Sequence, residues 1–241
     1  IASDATTLQR GEYLARLGNC ATCHTTRGGA ELAGGRAFST DYGTIHSTNL
    51  TPDAATGIGE WSVQEFGHAM RHGVSRHGLL YPVFPFQNFQ HLTDADVDAI
   101  FAWLRSRPAI AQATPANTLA FPASSRAMVL GWRMLFHRPQ PLVEDVSRSA
   151  QWNRGRYLVE GLGHCDMCHG ERAEFGSLPS DRRNAGGTIP GLGWRAPPLD
   201  QDALSRWSQD ELAYYLRAGT GKHGSAYGPM AEVIASSLQY L

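Results

Sequence analysis

Cys20-Ala21-Thr22-Cys23-His24 and Cys165-Asp166-Met167-Cys168-His169 are the two stretches whose reading decides the fold. Each reads C-x-x-C-H, the attachment pattern for a c-type haem. Two sulfurs and one imidazole must reach three points of one rigid macrocycle, so they must lie within about one turn of backbone. Cys20, Cys23, Cys165 and Cys168 are all the cysteines in the chain, and each pair is followed directly by a histidine. The expectation is two covalently bound haem c groups, with His24 and His169 as proximal iron ligands. A zinc site would bring four ligands together. Here the two pairs stand 145 residues apart, and neither has a further C-x-x-C or H-x-x-x-H ligand pair beside it. A thioredoxin-like redox pair would need a βαβ setting, and no Val/Ile-rich strand pattern surrounds either motif.

Working outward, the motifs belong to a longer repeat. Arg10-Gly11-Glu12-Tyr13-Leu14 leads into the first and Arg154-Gly155-Arg156-Tyr157-Leu158 into the second, each predicting a short helix. Downstream, Trp61-Ser62-Val63-Gln64-Glu65-Phe66 is matched at an offset of 146 by Trp207-Ser208-Gln209-Asp210-Glu211-Leu212. In both, serine as N-cap and glutamate three residues on predict a capping box. Gly73 and Gly219 predict the helix stops. The same offset aligns His77 with His223, Tyr81 with Tyr227 and Phe84 with Met230. The first repeat closes with a predicted helix from Thr93 to Arg105, whose apolar face is Val97, Ile100, Phe101 and Leu104. The second has no such closing helix, which predicts either that the native chain continues past Leu241 or that another chain supplies the missing face.

The expected organisation is therefore mostly α: a first haem domain over 1–107, an Ala/Pro-rich linker over 108–150 and a second haem domain over 151–241. The linker carries one apolar segment, Ala127 to Phe136, read as a helix packed between the domains or, alternatively, as a docking surface for a partner or membrane interface. The segment is too short to span a bilayer. The 241 residues are 42% hydrophobic and 18% charged, with a net charge of −1. That composition excludes a disordered chain and gives no global basic field pointing to nucleic acid.

These residues resemble tandem class I cytochrome c domains. More specifically, they resemble the multihaem cytochrome c subunits of membrane-associated bacterial dehydrogenases. The resembling stretches are Asn49-Leu50-Thr51-Pro52-Asp53, Thr56-Gly57-Ile58-Gly59 with Trp61-Ser62, Leu80 to Phe86, and the linker with Arg126, Gly131-Trp132 and Leu135-Phe136. The resemblance implies single-electron transfer from a dehydrogenase subunit to quinone or another cytochrome. Covalent haem attachment normally occurs outside the cytoplasmic membrane, so the motifs themselves point to the periplasm or the outer face of that membrane, with peripheral membrane association as an option.

The sixth iron ligand differs between the repeats. Met230, after Gly228-Pro229, is expected in a loop as the thioether ligand of the second haem. In the first repeat Phe84 stands at that place and cannot ligate. Met70, on the capped helix at the position of Leu216, is the preferred candidate, followed by His68 and His72 and then by the linker methionines Met128 and Met134. If none ligates, the first haem is open and the chain reads instead as a haem enzyme, peroxidase-like or acting on a small substrate.

Overall fold

The computed structural model describes residues 4–140 and 142–241. By its internal packing the chain divides into two compact units, Ile1–His164 and Cys165–Leu241.

The first unit is built on two helices that cross. α1 (Ala5–Leu17) starts at Asp4, whose side chain accepts from Thr7 N. It is followed at once by the single turn α2 (Cys20–His24). The hairpin β1 (Ala37–Thr40) and β2 (Gly43–His46) comes next. Then come α3 (Val63–His72), the small hairpin β3 (Val74–Ser75) and β4 (Gly78–Leu79), and α4 (Phe86–Phe89). The closing helix α5 (Asp94–Arg105) has its expected cap, with the Thr93 hydroxyl accepting from Asp96 N. Val97, Ile100, Phe101 and Leu104 are buried as the periodicity predicts, and so are Ala99, Ala102 and Trp103. α5 is thus enclosed on nearly all sides, a wider burial than one apolar stripe foretells.

α1 crosses α5 at Gly11. A Cβ there would overlap the Ala99 carbonyl oxygen and lie 2.8 Å from Trp103 Cβ. Glycine is required because backbone meets backbone, which lets Leu14 and Ala15 bury fully against the core.

The linker is more structured than an Ala/Pro-rich composition suggests. β5 (Thr118–Leu119) pairs with β2 and completes a three-stranded antiparallel sheet, in the order β1-β2-β5. α6 (Arg126–Phe136) buries only Val129. The resembling stretch from Asn49 to Gly59 is a buried polar knot. Asn49 donates through Nδ2 to Thr56 Oγ1 and to the Ile110 carbonyl, and accepts through Oδ1 from Thr51 N and Oγ1. This fastens the start of the linker to the loop before α3 and satisfies polar groups that would otherwise be costly to bury.

The helix leading to the second motif packs in the first unit. α7 (Ala150–Arg156) continues as a π-helical segment, Tyr157–Leu162, kinked at Gly161, whose backbone is not helical (φ −92°, ψ −110°). The Tyr157 hydroxyl donates to Asp96 Oδ2 at 2.6 Å and accepts from Thr93 N at 3.2 Å. Arg10 holds the other oxygen of Asp96, at 2.8 Å from Nε. Leu162, fully buried, sits over Gly18, where a Cβ would come within 2.9 Å of its Cδ1.

The second unit repeats the first in outline. It contains α8 (Asp166–His169), the hairpin β6 (Gly187–Thr188) with β7 (Arg195–Ala196), and α9 (Gln201–Leu204). Next are α10 (Gln209–Ala218), the hairpin β8 (Thr220–Gly221) with β9 (Gly224–Ser225), and α11 (Gly228–Ser236). α3 and α10 both carry the full capping box and both stop at a left-handed glycine, Gly73 or Gly219. Even the hydrogen bond closing each hairpin recurs: Leu80 N to Gly73 O at 2.8 Å, and Ala226 N to Gly219 O at 2.7 Å.

Gly11 and Gly155 hold the same place in the repeat but not the same surroundings, since nothing lies within 4 Å of a Cβ at Gly155. Gly11→Ala is therefore expected to lower stability by about 2 kcal/mol through overpacking. Gly155→Ala is expected to raise it by up to about 1 kcal/mol through helix propensity. Thermal denaturation of the two variants checks this, and shifts of the same sign would contradict the crossing argument.

Candidate haem-attachment sites

Each motif is delivered by the same local geometry. The residue before the first cysteine is left-handed in both copies, Asn19 at φ 53° and His164 at φ 37°. A short helical turn then carries both cysteines and the histidine, α2 in one copy and α8 in the other. None of the four cysteines forms a disulfide. Burial pushes the Cys20 and Cys165 thiols up to about 12, so both are neutral thiols at neutral pH. Among the described residues no three His, Cys, Asp or Glu side chains gather into a metal-holding cluster. Two sulfurs and one imidazole carried on a single turn suit a metal already chelated by a macrocycle.

The two histidines are held alike. His24 Nδ1 lies 2.6 Å from the Thr48 carbonyl, and His169 Nδ1 lies 2.7 Å from the Pro197 carbonyl. A carbonyl only accepts, so each Nδ1 must carry the proton. That fixes the tautomer in which Nε2 presents a lone pair, the arrangement typical of a metal-ligating histidine. Each histidine's own carbonyl also accepts from a glycine: Gly34 N at 2.7 Å and Gly186 N at 2.8 Å. Both glycines are left-handed, at φ 76° and 77°. A Cβ on Gly34 would lie 2.5 Å from Thr48 C, and one on Gly186 would lie 2.8 Å from Pro198 N. The loop carrying the glycine and the loop carrying the acceptor carbonyl are therefore pressed together behind each histidine.

These glycines escaped the sequence reading, although a signal was present. Ala33-Gly34-Gly35 and Ala185-Gly186-Gly187 are the same tripeptide at an offset of 152, seven more than the motifs themselves. The carbonyl acceptors left no such trace, because a backbone oxygen on Thr48 or Pro197 has no side-chain signature.

The distal candidates fall on different surfaces. Met70 is buried on α3 with Phe66, Gly67 and Ala69. His68 and His72 are exposed on the same helix, their rings 5.0 Å apart, with His68 Nδ1 bonded to the Val74 carbonyl at 3.1 Å. His77 and His223 pack on Trp61 and Trp207, a repeated ring pair that accounts for them locally. Phe84 lies in a turn between prolines and packs on Phe89. Met230 corrects an expectation: it is in the first turn of α11 and not in a loop. Pro85 disfavours helical backbone at Phe84, whereas Pro229 stands at the start of a helix, where proline is accommodated.

The second unit also shows why a large apolar group fits. Ala196 and Ile234 are the buried hydrophobic residues of Cys165–Leu241. α10 buries none of its residues, although Leu212, Tyr215 and Leu216 form a helical stripe; its counterpart α3 buries four. A unit of this size with so small a protein core needs another source of apolar contact, and a planar macrocycle bonded at Cys165 and Cys168 would supply it.

The family profile for cytochrome c matches residues 8–108. A dihaem c-type cytochrome of Cereibacter sphaeroides is 38% identical over 237 residues, covering 95% of this chain and 79% of that protein. The chain belongs to the cytochrome c family, and its fold is that of helical cytochrome c domains in tandem; membership implies covalently bound haem c. It is also similar to the gluconate 2-dehydrogenase cytochrome c subunit of Pantoea cypripedii, 41% identical over 255 residues, covering all of this chain and 57% of that one. A nicotinate dehydrogenase subunit of Pseudomonas putida is 46% identical over 236 residues, 96% of this chain and 20% of that protein. The chain thus spans between a fifth and somewhat over half the length of these two dehydrogenase subunits.

Gly34→Ala is expected to destabilise by about 2–3 kcal/mol, combining left-handed strain with a backbone clash. Gly28→Ala is the control. It has the same sign of φ, 74°, but open space around the new Cβ, and is expected to cost about 1 kcal/mol. Denaturant titration of both variants measures the difference, and equal losses would remove the case for loop contact behind His24.

Proposed function

We propose that this chain is a dihaem electron carrier, one haem c bonded at Cys20 and Cys23 and the other at Cys165 and Cys168. His24 and His169 are the proximal ligands, Met230 the distal ligand of the second haem and Met70 that of the first. The haem repeats run over 1–107 and 151–241 with the linker 108–150 between them, the lead-in helix of the second repeat packing in the unit Ile1–His164. The observation that carries this reading is the shared hold on the two histidines: Nδ1 on a loop carbonyl and the histidine carbonyl on a left-handed glycine. Two sites built alike, each with an Nε2 lone pair to offer, support two equivalent attachments.

Bound haem supplies a one-electron Fe(III)/Fe(II) couple. The protein's part is to fix two imidazoles, supply thioether sulfur opposite them and limit water. Sulfur favours ferrous iron, so methionine ligation at either site raises the potential. The burial of Met70 favours the carrier reading over catalysis at the first haem, since His68 and His72 face solvent. By likeness to dehydrogenase cytochrome subunits, the donor is a dehydrogenase subunit and the acceptor is quinone or another cytochrome. The setting is the periplasm or the outer face of the cytoplasmic membrane. No helix among the described residues is long and apolar enough to cross a membrane.

Intact mass and pyridine haemochrome are expected to give two haems per chain, falling to one in Cys165→Ser/Cys168→Ser. A wild-type value of one overturns the dihaem reading. Met230→Leu and Met70→Leu are each expected to remove one methionine–iron charge-transfer band from the ferric spectrum and to lower one potential. A Met70→Leu protein with both bands intact would reassign the first distal position.

A further inference from the structure

The two C-x-x-C-H turns share a contact that the sequence repeat does not by itself produce. In each, a guanidinium donates to the carbonyl of the third motif residue: Arg36 Nη1 to Thr22 O at 2.7 Å, and Arg172 Nη2 to Met167 O at 2.9 Å. The two arginines are not counterparts. Arg36 follows His24 by twelve residues, whereas Arg172 follows His169 by three. Arg27, which does stand three residues after His24, is exposed. Different loops thus bring a guanidinium to the same atom of each turn. A short helical turn leaves its last carbonyls without intrahelical partners, and a neutral donor would satisfy one of them. Arginine adds a permanent charge that capping does not require.

At the second turn that charge is held without a direct counter-ion. Arg172 Nη1 donates to the Gly176 carbonyl at 2.9 Å, Nη2 also lies 3.7 Å from Met167 Sδ, and Nε is buried without a partner. Burial lowers the Arg172 pKa, against the pull of Cys168 and Asp166, and the group stays charged at neutral pH. Burial likewise pushes the Cys168 thiol up, against the pull of Arg172. The guanidinium is therefore within electrostatic reach of the attachment sulfur. Asp166, 3% exposed, stands inside this motif where the first has Ala21, with Oδ2 3.5 Å from Arg183 Nη1. A fixed charge in a half-buried place is weakly screened. A positive one favours the oxidation state that holds one electron more, and the groups around a haem are the protein's means of tuning its potential.

We infer that Arg36 and Arg172 are redox-tuning residues: each holds a guanidinium charge on its attachment turn and makes the haem bonded there easier to reduce, with Asp166 offsetting part of that effect at the second. This deepens the proposed function and rests on its reading of one haem c at each motif. The two motifs then differ in their charge as well as in their distal candidates, since a carboxylate is built into the second and not into the first.

The test is spectroelectrochemical titration of the haem-loaded protein. Arg172→Gln keeps a hydrogen-bond donor and loses the charge. It is expected to lower one midpoint potential and leave the other, by up to about tenfold in the reduction equilibrium, or about 59 mV for one electron. Arg36→Gln is expected to lower the other potential instead. Asp166→Asn, neutral and of the same shape, is expected to raise the potential that Arg172→Gln lowers. Opposite signs at one haem separate charge from structure, because lost capping or packing would move both variants the same way. Arg27→Gln is the control and should leave both potentials unchanged. Unmoved potentials in the two arginine variants overturn the inference. So do shifts of the same sign in Arg172→Gln and Asp166→Asn, or shifts at Arg27→Gln as large as those at Arg36→Gln. If Arg172→Gln fails to fold, Asp166→Asn still reads the charge at that turn, and an unraised potential there counts against it. Pyridine haemochrome on the same samples gives the haem count. Fewer than two haems in the wild type fails the dihaem reading, whereas two haems with unmoved potentials fails the tuning alone.

Discussion

The hydrogen bond from a motif histidine's Nδ1 to a loop carbonyl is the constraint on which the rest of each site depends. A C-x-x-C-H turn is only five residues and cannot by itself fix the rotation of its imidazole. The carbonyl of Thr48 or Pro197 does so from 24 or 28 residues downstream. The chain must therefore loop out and return, and the return must be clamped. Gly34 and Gly186 are the clamps, their N–H groups bonded to the histidine carbonyls. The need for backbone to approach backbone there explains why both are left-handed glycines without space for a side chain. Local sequence supplies the imidazole, and distant backbone decides how it points.

Given equal clamps, the two units differ in what else holds them. The first has α1 and α5 crossed at Gly11 and the buried polar knot around Asn49, so much of its apolar surface is covered by protein. The second repeats α3 as α10 with the same caps, yet α10 buries nothing. A helix of ten residues is marginal without packing, so α10 has less protein support than α3. The candidate distal residues differ in their local backbone as well. Two prolines hold Phe84 in a turn, whereas a single proline opens α11 and puts Met230 in its first turn.

What could be read in the sequence follows from this division. The capping boxes, the glycine stops, α5 and the repeat were legible because each rests on residues within a few positions of one another. The β1-β2-β5 sheet was not. Its strands are two to four residues long, and β5 is supplied by a segment whose composition suggests only a linker. The π-helical segment Tyr157–Leu162 was equally hidden, since it arises from Gly163 N reaching back to Leu158 O at 2.7 Å. The seven-residue difference in spacing between the two A-G-G tripeptides broke the constant offset and concealed a match plain once the bonds are known.

Asp96 shows how a residue can read correctly for one role and still be misjudged. In sequence it is an acid in the first turn of a helix, suited to the dipole and to solvent. In the structure it is 1% exposed and accepts from Arg10 on α1 and Tyr157 on the segment leading to the second motif. Tyr157 is repeated as Tyr13, which stays 39% exposed, so the repeat gave no reason to separate them. A buried carboxylate is tolerated only when its oxygens are satisfied, and here the satisfying groups come from opposite ends of the unit. Burying Asp96 therefore commits the lead-in helix to the first unit. The second motif then starts from a chain end already held by Asp96, by Asn88 Nδ2 on the Glu160 carbonyl at 2.8 Å, and by Leu162 over Gly18.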